Sequence, residues 1–577
     1  MRDRTLSKLP WGKLRSMSQS ALAVVFLLTL CGSAIAFEIP TSNENLGLRW
    51  DNTLRYTYGF RTESADAHYL NNPNADDGDR NFDKGTITNR LDLLSEFDVV
   101  YKKNYGVRFS AAAWYDQRYH DPMGNDSPST SNHLVNGSQT TGLSDYTKTR
   151  FAGPAAELLD AFAFASFNLG PVPVSLKVGR HTVYWGEAFL GVGGNQISYS
   201  QMPIDVGKAF ANPGSELKEL FRPLGCITAQ AQVSNTVSIS AQQFFEWEAY
   251  QLPESGSFLS LSDALLKGGD SLIVVPGVWT ASHNQNLEKD LQESGTKNWG
   301  AAVRWSPDWL GGTMGFFYRR FTDMNPSQLN IILGMTPLSA VLPLPTQYFL
   351  TYGSGIDLYG MSLSTKVFGL SLGAEVSYRH NMPLSSSPAV IFPGLIGAIP
   401  AKGETTAAVG NTWHGVLNLM GLGGTNPLWD SYSWLAEVGV TRLDKINSDN
   451  WTADGATVGV YKGRAAYGNL VDRPTDTAVG FGLNFTPTWF QVFPGMDLGM
   501  PLTFNYGVYG VSCVAGGSAE HDGNWSAGLS LTIYEKYIVT ANYAAYFGEL
   551  SNEGLAGGTN ALIRDRNNVT LTIKTTF

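Results

Sequence analysis

Four groups of residues in this 577-residue chain are of types and spacings that could do chemistry. Gly369-Leu370-Ser371-Leu372-Gly373 has the spacing of a nucleophile elbow, which needs a strand-to-helix turn to expose its serine. Here the pattern opens an alternating stretch directly after a tight turn, the wrong element for an elbow. His181, His380 and His414 are the candidate bases, and no spacing places one of them beside a serine. No catalytic residue is assigned and an enzyme is not expected. Asp76, Asp77, Asp79 and Asp83 supply oxygens of the kind calcium prefers. Their spacing is not that of an EF-hand, and the expectation is an acidic loop facing solvent or lipopolysaccharide. The eight histidines show no ligand spacing, so neither a metal nor a cofactor is expected.

The remaining two groups are charges at alternate positions. Arg49, Asp51, Arg55, Arg90, Asp92, Glu96, Asp98, Arg108, Asp116 and Arg118 fall on the polar faces of alternating stretches. Charges lining a lumen set solute preference, although most of these are expected to pair across neighbouring strands. Arg180, Trp185 and Glu187 stand where such a stretch runs into an irregular, glycine-rich segment, and they are the candidates for a constriction.

The elements that must position these residues are strands. From Gly47 to Arg61, Leu48, Trp50, Leu54, Tyr56, Tyr58 and Phe60 alternate with Arg49, Asp51, Thr53, Arg55, Thr57 and Arg61. Strict period-two alternation, with both signs of charge on one face and aromatics on the other, fits lipid outside and water inside. The pattern recurs over 87–101, 105–119, 237–247, 370–378, 525–533 and 537–545. Tight turns at Lys102-Lys103-Asn104, Ser306-Pro307-Asp308, Lys366-Val367-Phe368 and Glu535-Lys536 carry flanking aromatics. Between them lie long polar loops at 62–85, 120–153, 248–298, 323–353, 381–408, 445–475 and 548–567. Short turns on one side and long loops on the other predict an all-β, transmembrane antiparallel outer-membrane β-barrel. The count is about eighteen strands, with sixteen as the alternative and 158–167, 409–419 and 499–508 the weakest. Gly186 to Leu224 breaks the rhythm and is expected to fold into the lumen, with Ser215 capping a short helix over Glu216 to Phe221. A second short helix is expected over Ser262 to Lys267.

The ends fit the same picture. Residues 1–36 combine five basic residues, the apolar run Ala21 to Leu30 and Ala34-Ile35-Ala36, the pattern of a cleavable signal peptide. Residues 37–577 then form the exported barrel. Asn568 to Phe577 alternates strictly and ends on an aromatic residue, Phe577, as an assembly signal for the barrel-assembly machinery does. No other stretch is long and apolar enough for a membrane helix. Without the leader's five basic residues and Asp3, the totals of 40 Lys+Arg and 50 Asp+Glu leave a net charge of −14, which argues against nucleic acid as a partner. Cys226 and Cys513 are free to pair or not on sequence grounds.

Asn74-Ala75-Asp76-Asp77-Gly78-Asp79-Arg80-Asn81-Phe82, Asn89-Arg90-Leu91-Asp92-Leu93, Gly179-Arg180-His181 with Tyr184-Trp185-Gly186-Glu187, and Glu375-Val376-Ser377-Tyr378-Arg379 resemble the proteobacterial outer-membrane proteins of the domain of unknown function 1302 family. The resemblance runs from about residue 45 to the end. It implies a porin-like barrel in a Gram-negative outer membrane, among lipids and lipopolysaccharide. It also implies a periplasmic partner, a resistance-nodulation-division permease and traffic in hydrophobic or lipid-like molecules. The expected function is a passive channel for hydrophobic or amphipathic small molecules. The rivals are a general porin for polar solutes, a barrel-embedded hydrolase and a non-conducting surface adhesin.

Overall fold

A computed structural model describes residues 37–211, 220–265, 267–336, 339–448, 451–453, 456–551 and 556–577. The expected signal peptide lies outside the described residues, as does the expected helix Glu216–Phe221 apart from its last two positions.

Eighteen antiparallel strands close into one barrel. In chain order they are β1 (Leu46–Arg61), β2 (Gly85–Tyr101), β3 (Tyr105–Asp116), β4 (Ala155–Leu169), β5 (Val172–His181), β6 (Leu224–Gln232), β7 (Val237–Phe244), β8 (Trp299–Trp305) and β9 (Thr313–Phe321). The second half contains β10 (Ile356–Val367), β11 (Leu370–Pro383), β12 (Val409–Gly423), β13 (Ser431–Ser448), β14 (Thr477–Phe493), β15 (Met496–Gly499 with Leu502–Tyr509), β16 (Gly523–Ile533), β17 (Tyr537–Phe547) and β18 (Asn568–Thr576). The interruption in β15 falls at Met500 and Pro501, where proline has no N–H to give the ladder.

Closure satisfies every edge that an open sheet would leave unpaired. β18 pairs with β17 from Tyr537↔Thr575 to Ala544↔Asn568, and with β1 from Thr53↔Thr576 to Arg61↔Asn568. Phe577 extends that seam, its N–H and C=O bonding Asn52 O at 2.8 Å and Asn52 N at 2.7 Å. Below it the short strand Phe37–Ile39 takes over the same edge of β1.

Register explains why the polar face turns inward. Trp50 sits opposite Phe97 and Tyr56 opposite Leu91, while Asp51 meets Glu96 and Arg55 meets Asp92. Trp50 and Phe60 are exposed on the outer wall, whereas Arg55 and Arg61 are buried. The turn before β11 is built by Phe368 and Gly369 at φ 51° and 83°, the primed geometry that matches strand twist. The Gly-x-Ser-x-Gly pattern is therefore a hairpin turn followed by a strand, with Ser371 paired to Lys366.

The wall is uneven. β1, β2, β13 and β14 run 16 to 18 residues, whereas β6 to β9 run only 7 to 9. The loops above build a second, five-stranded sheet from Ser271–Val275, Trp279–His283, Gln328–Thr336, Ser339–Thr351 and Ala389–Ile391. Its residues fall in three of the stretches expected to be polar loops.

A candidate constriction in the lumen

β11 and β13 place Glu375, Ser377 and Arg379, and Glu437, Gly439 and Thr441, on the inner face of the wall. These side chains hold the insertion. Glu375 accepts from the N–H groups of Glu187, of Ala188 (2.7 Å) and of Ile197 (2.7 Å). Glu437 accepts from Phe189 (2.8 Å), Leu190 (3.1 Å) and Val192 (3.1 Å). Four of these donors lie outside regular secondary structure and two, Val192 and Ile197, open short 3-10 turns whose first N–H has no partner within the turn, so all six would otherwise be orphaned inside the barrel. Two carboxylates satisfy them through charge-assisted bonds.

The grip continues along the segment. Asn195 Oδ1 is held by Thr441 Oγ1 at 2.6 Å and His414 Nδ1 at 2.9 Å. Arg379 donates to the carbonyls of Gly194 (2.8 Å) and Gln196 (3.1 Å) and lies 4.5 Å over the Tyr199 ring. Arg319 of β9 donates to Ser200 O at 3.2 Å. The wall makes room by losing side chains. A Cβ on Gly439 would stand 2.4 Å from Val192 O, and one on Gly480 would stand 2.8 Å from Val192 Cγ1. The insertion thus leaves β5, crosses the lumen and seats on β11 to β14.

Between the insertion and the β8–β11 wall lies an apolar cluster inside the barrel. It includes Trp185, Ile197, Tyr199, Phe317, Phe321, Ile356, Leu358 and Met382. Farther along, helix α1 (Val206–Ala211) begins at Asp205, whose carboxylate accepts from Lys208 N at 2.8 Å. Its Lys208 reaches Glu157 of β4 at 2.9 Å, and Glu157 also takes Arg150 (2.9 Å) and Arg222 (2.7 Å). Arg222 continues to Glu248 at 2.9 Å.

The residues singled out by sequence separate into two sets. Trp185 packs on Phe317 with ring centroids 5.6 Å apart, and Glu187 joins the Glu375 anchor through its N–H and accepts from Ser362 at 3.3 Å. Burial raises the Glu187 carboxyl pKa. Arg180 meets Glu246 (2.8 Å) and Glu248 (3.3 Å) below the insertion's return to β6. The other charges lie on the opposite arc and pair locally. Arg49 meets Asp51 at 2.6 Å, Arg90 meets Asp92 at 3.0 Å, and Arg108 joins Glu96, Asp98 (3.3 Å) and Asp160 (3.7 Å). Arg55 is buried opposite Asp92. Asp116 accepts from Thr88 Oγ1 (2.5 Å) and from Asn89 and Arg118 N–H groups, while Arg118 donates to Thr86 O at 2.9 Å. None of this second set touches the insertion's anchor.

Two expectations need correcting, and one open question is answered. Asp76, Asp77 and Asp79 are buried rather than solvated, and only Asp83 is exposed. Asp79 pairs with Arg61 (2.8 Å) and Arg566 (2.9 Å), Asp76 with Arg80 (2.5 Å), and Asp77 accepts from Asn125 Nδ2 (2.8 Å) and Asn132 N (3.0 Å). Residues 263–265 form bends and residue 267 a turn instead of a helix, because the Asp263 N–H donates to Asn74 O (2.9 Å) and its C=O accepts from Ser255 Oγ (2.6 Å) rather than joining a helical ladder. Cys226 and Cys513 are both free and buried in separate clusters.

Sequence reasoning left Glu437, Glu157, Glu248, Lys208 and Arg222 out of the site. Glu375 and Arg379 stood in a quoted motif without a role. Glu437 carries a readable signal: a carboxylate at an inward position in the apolar middle of β13, Trp434 to Val440.

The family described as "Protein of unknown function (DUF1302)" matches residues 17–577. The chain belongs to this family. No curated protein matches it. Among solved structures, OccAB4 of Acinetobacter baumannii aligns over 93% of this chain and 100% of its own at 8% identity, with a TM-score of 0.39. OpdK of Pseudomonas aeruginosa, solved with vanillate, aligns over 92% and 98% at 11% identity and 0.39. The outer-membrane channel DcaP of Acinetobacter baumannii aligns over 94% and 100% at 10% identity and 0.35. Overlap this loose carries no functional argument, and the barrel rests on its own strand pairing.

Proposed function

We propose that this DUF1302 protein is a passive channel of a Gram-negative outer membrane for small hydrophobic or amphipathic molecules. The observation that carries the reading is the insertion itself. It crosses the lumen, packs a buried apolar cluster against the wall and leaves the aromatic rings of Tyr184 and Phe189 exposed beside charged groups, which suits a solute with an apolar body better than hydrated sugars. Loop anchoring by two wall carboxylates is also a costly device for a wide, unselective pore. The Glu157–Arg222–Glu248 ladder favours the alternative, a porin for polar solutes. The family membership supports, as proposals, a periplasmic partner and a resistance-nodulation-division permease. An enzymatic role is not proposed, because Ser371 opens a strand and the polar partners of His181 and His414 lie elsewhere.

Liposome swelling tests the reading. Proteoliposomes should swell slowly in arabinose or glycine and measurably faster in a small amphipathic solute. Fast, size-limited swelling in all three would sink the preference and leave the polar porin. No swelling together with no planar-bilayer conductance would remove the channel.

A further inference from the structure

Beneath the insertion, on the side of the short turns, the β5–β8 wall encloses a polar chamber of about 220 Å³. Its walls carry two cations, Lys177 of β5 and Arg304 of β8, and no carboxylate lines it. Lys177 lies 5.4 Å from the centre of the Phe162 ring, and among the described residues neither cation makes a salt bridge. Arg319 and Arg379 likewise make no salt bridge among the described residues, but their guanidinium groups are spent on backbone carbonyls. Arg90, Arg108, Arg150, Arg180 and Arg222 all face an Asp or Glu within hydrogen-bond reach. Glu187 at the edge of the roof is the carboxyl that Arg304 acts on electrostatically, and it is engaged with Ser362. The roof is Val183, Tyr184 and Trp185, an apolar and aromatic surface at the foot of the insertion.

Asp160 and Glu187 feel these cations from outside the chamber, but a cavity with two cations in no salt bridge below an aromatic ceiling has a definite complement. It fits a molecule with an anionic end and an apolar body. We propose that this chamber binds the carboxylate of a small amphipathic acid. Lys177 and Arg304 take the anion, and the apolar body lies under Tyr184 and Trp185. The site rests on the channel reading for its purpose, but its binding chemistry stands apart from conduction.

Hexanoate, with hexan-1-ol as its uncharged counterpart, is a suitable probe. Binding to the full barrel in detergent micelles is measured by calorimetry with empty micelles as the blank, and ion flow is measured separately in planar bilayers. Hexanoate should bind and hexan-1-ol should not. The affinity should fall with added salt, and a Lys177→Gln/Arg304→Gln double variant should lose about tenfold or more, as expected for losing charge-assisted bonds. An Arg304→Lys variant should retain most of the affinity, which separates charge from fold. Equal binding of hexanoate and hexan-1-ol, or an unaltered double variant that still shows the barrel's heat-resistant gel mobility, would overturn the site. Hexanoate binding without conductance would support the site and refute the channel, whereas conductance without hexanoate binding would do the reverse.

Discussion

Two regions of this protein bury charge against loop backbone, and they do it differently. At the insertion, Glu375 and Glu437 each receive three neutral N–H donors from one continuous segment. At the clasp of long loops above the barrel, Arg61, Asp79, Arg566 and Asp565 form a buried ion network, with Arg566 also donating to Phe258 O (2.8 Å) and Ser260 O (2.7 Å). Beside it Asp77 and Asp263 face each other with Asp76 near by, so like charges sit together under burial. The anchor spreads each negative charge over backbone dipoles and holds one arrangement. The clasp balances attraction against repulsion between separate loops, which makes it conditional.

The largest effect should come from removing the anchor. A Glu375→Ala/Glu437→Ala double variant strands six N–H groups, each bond to a charged acceptor being worth about 1.5–3 kcal/mol. The insertion should leave the far wall, and single-channel conductance should rise severalfold. Unchanged conductance would show that the apolar cluster alone holds it.

Breaking the clasp should cost stability rather than selectivity. Arg566→Met leaves Asp79 and Asp565 with one fewer cation, and removing one partner of a buried pair costs about 3–5 kcal/mol. The variant should unfold at clearly lower denaturant or temperature while its conductance stays near that of the parent. A large conductance change would instead tie the clasp to the pore.

The clasp should also respond to pH. Burial and neighbouring carboxylates raise Asp263 from 3.8 to about 7, and burial raises Glu254 from 4.5 to about 7. Asp77 is raised in the same way. A carboxyl raised in the closed state favours closure fully below its ordinary pKa, and the contribution is lost as pH climbs through about 7. Hydrogen exchange over residues 254–265, corrected for intrinsic rates, should therefore be faster at pH 8 than at pH 5. Equal protection at both would remove the repulsive half of the contrast.

The smallest effect is expected at Arg49→Gln. Its partner Asp51 is close at 2.6 Å, but the Arg49 side chain is 58% exposed. Such pairs are worth about 0–1 kcal/mol, so stability and conductance should both be almost unchanged. A marked loss would place Arg49 in the permeation path.

Much of the barrel was readable because its determinants are local. Alternation from Gly47 to Arg61 sets which residues face lipid, and Lys102-Lys103-Asn104 closes a hairpin whose register follows from the turn, while the turn read at Lys366-Val367-Phe368 closes on Phe368 and Gly369. That the chain leaves the wall after β5 was readable from a break in rhythm at Gly186. The insertion's anchors were not, because Glu375 and Glu437 lie some 180 to 250 residues beyond their partners. The misread acidic loop has the same origin. Asp79 looked solvated until Arg566, far along the chain, was folded onto it.

The sequence by itself determined the strand order, the inward and outward faces and the placement of short turns and long loops. Each of these depends on a period of two and on neighbours within a hairpin. Only the tertiary structure decided which charges pair, where the insertion seats and which cations remain outside any salt bridge. Those outcomes depend on closing the barrel, which brings β5, β11 and β13 around one lumen and leaves Lys177 and Arg304 facing a chamber without a carboxylate.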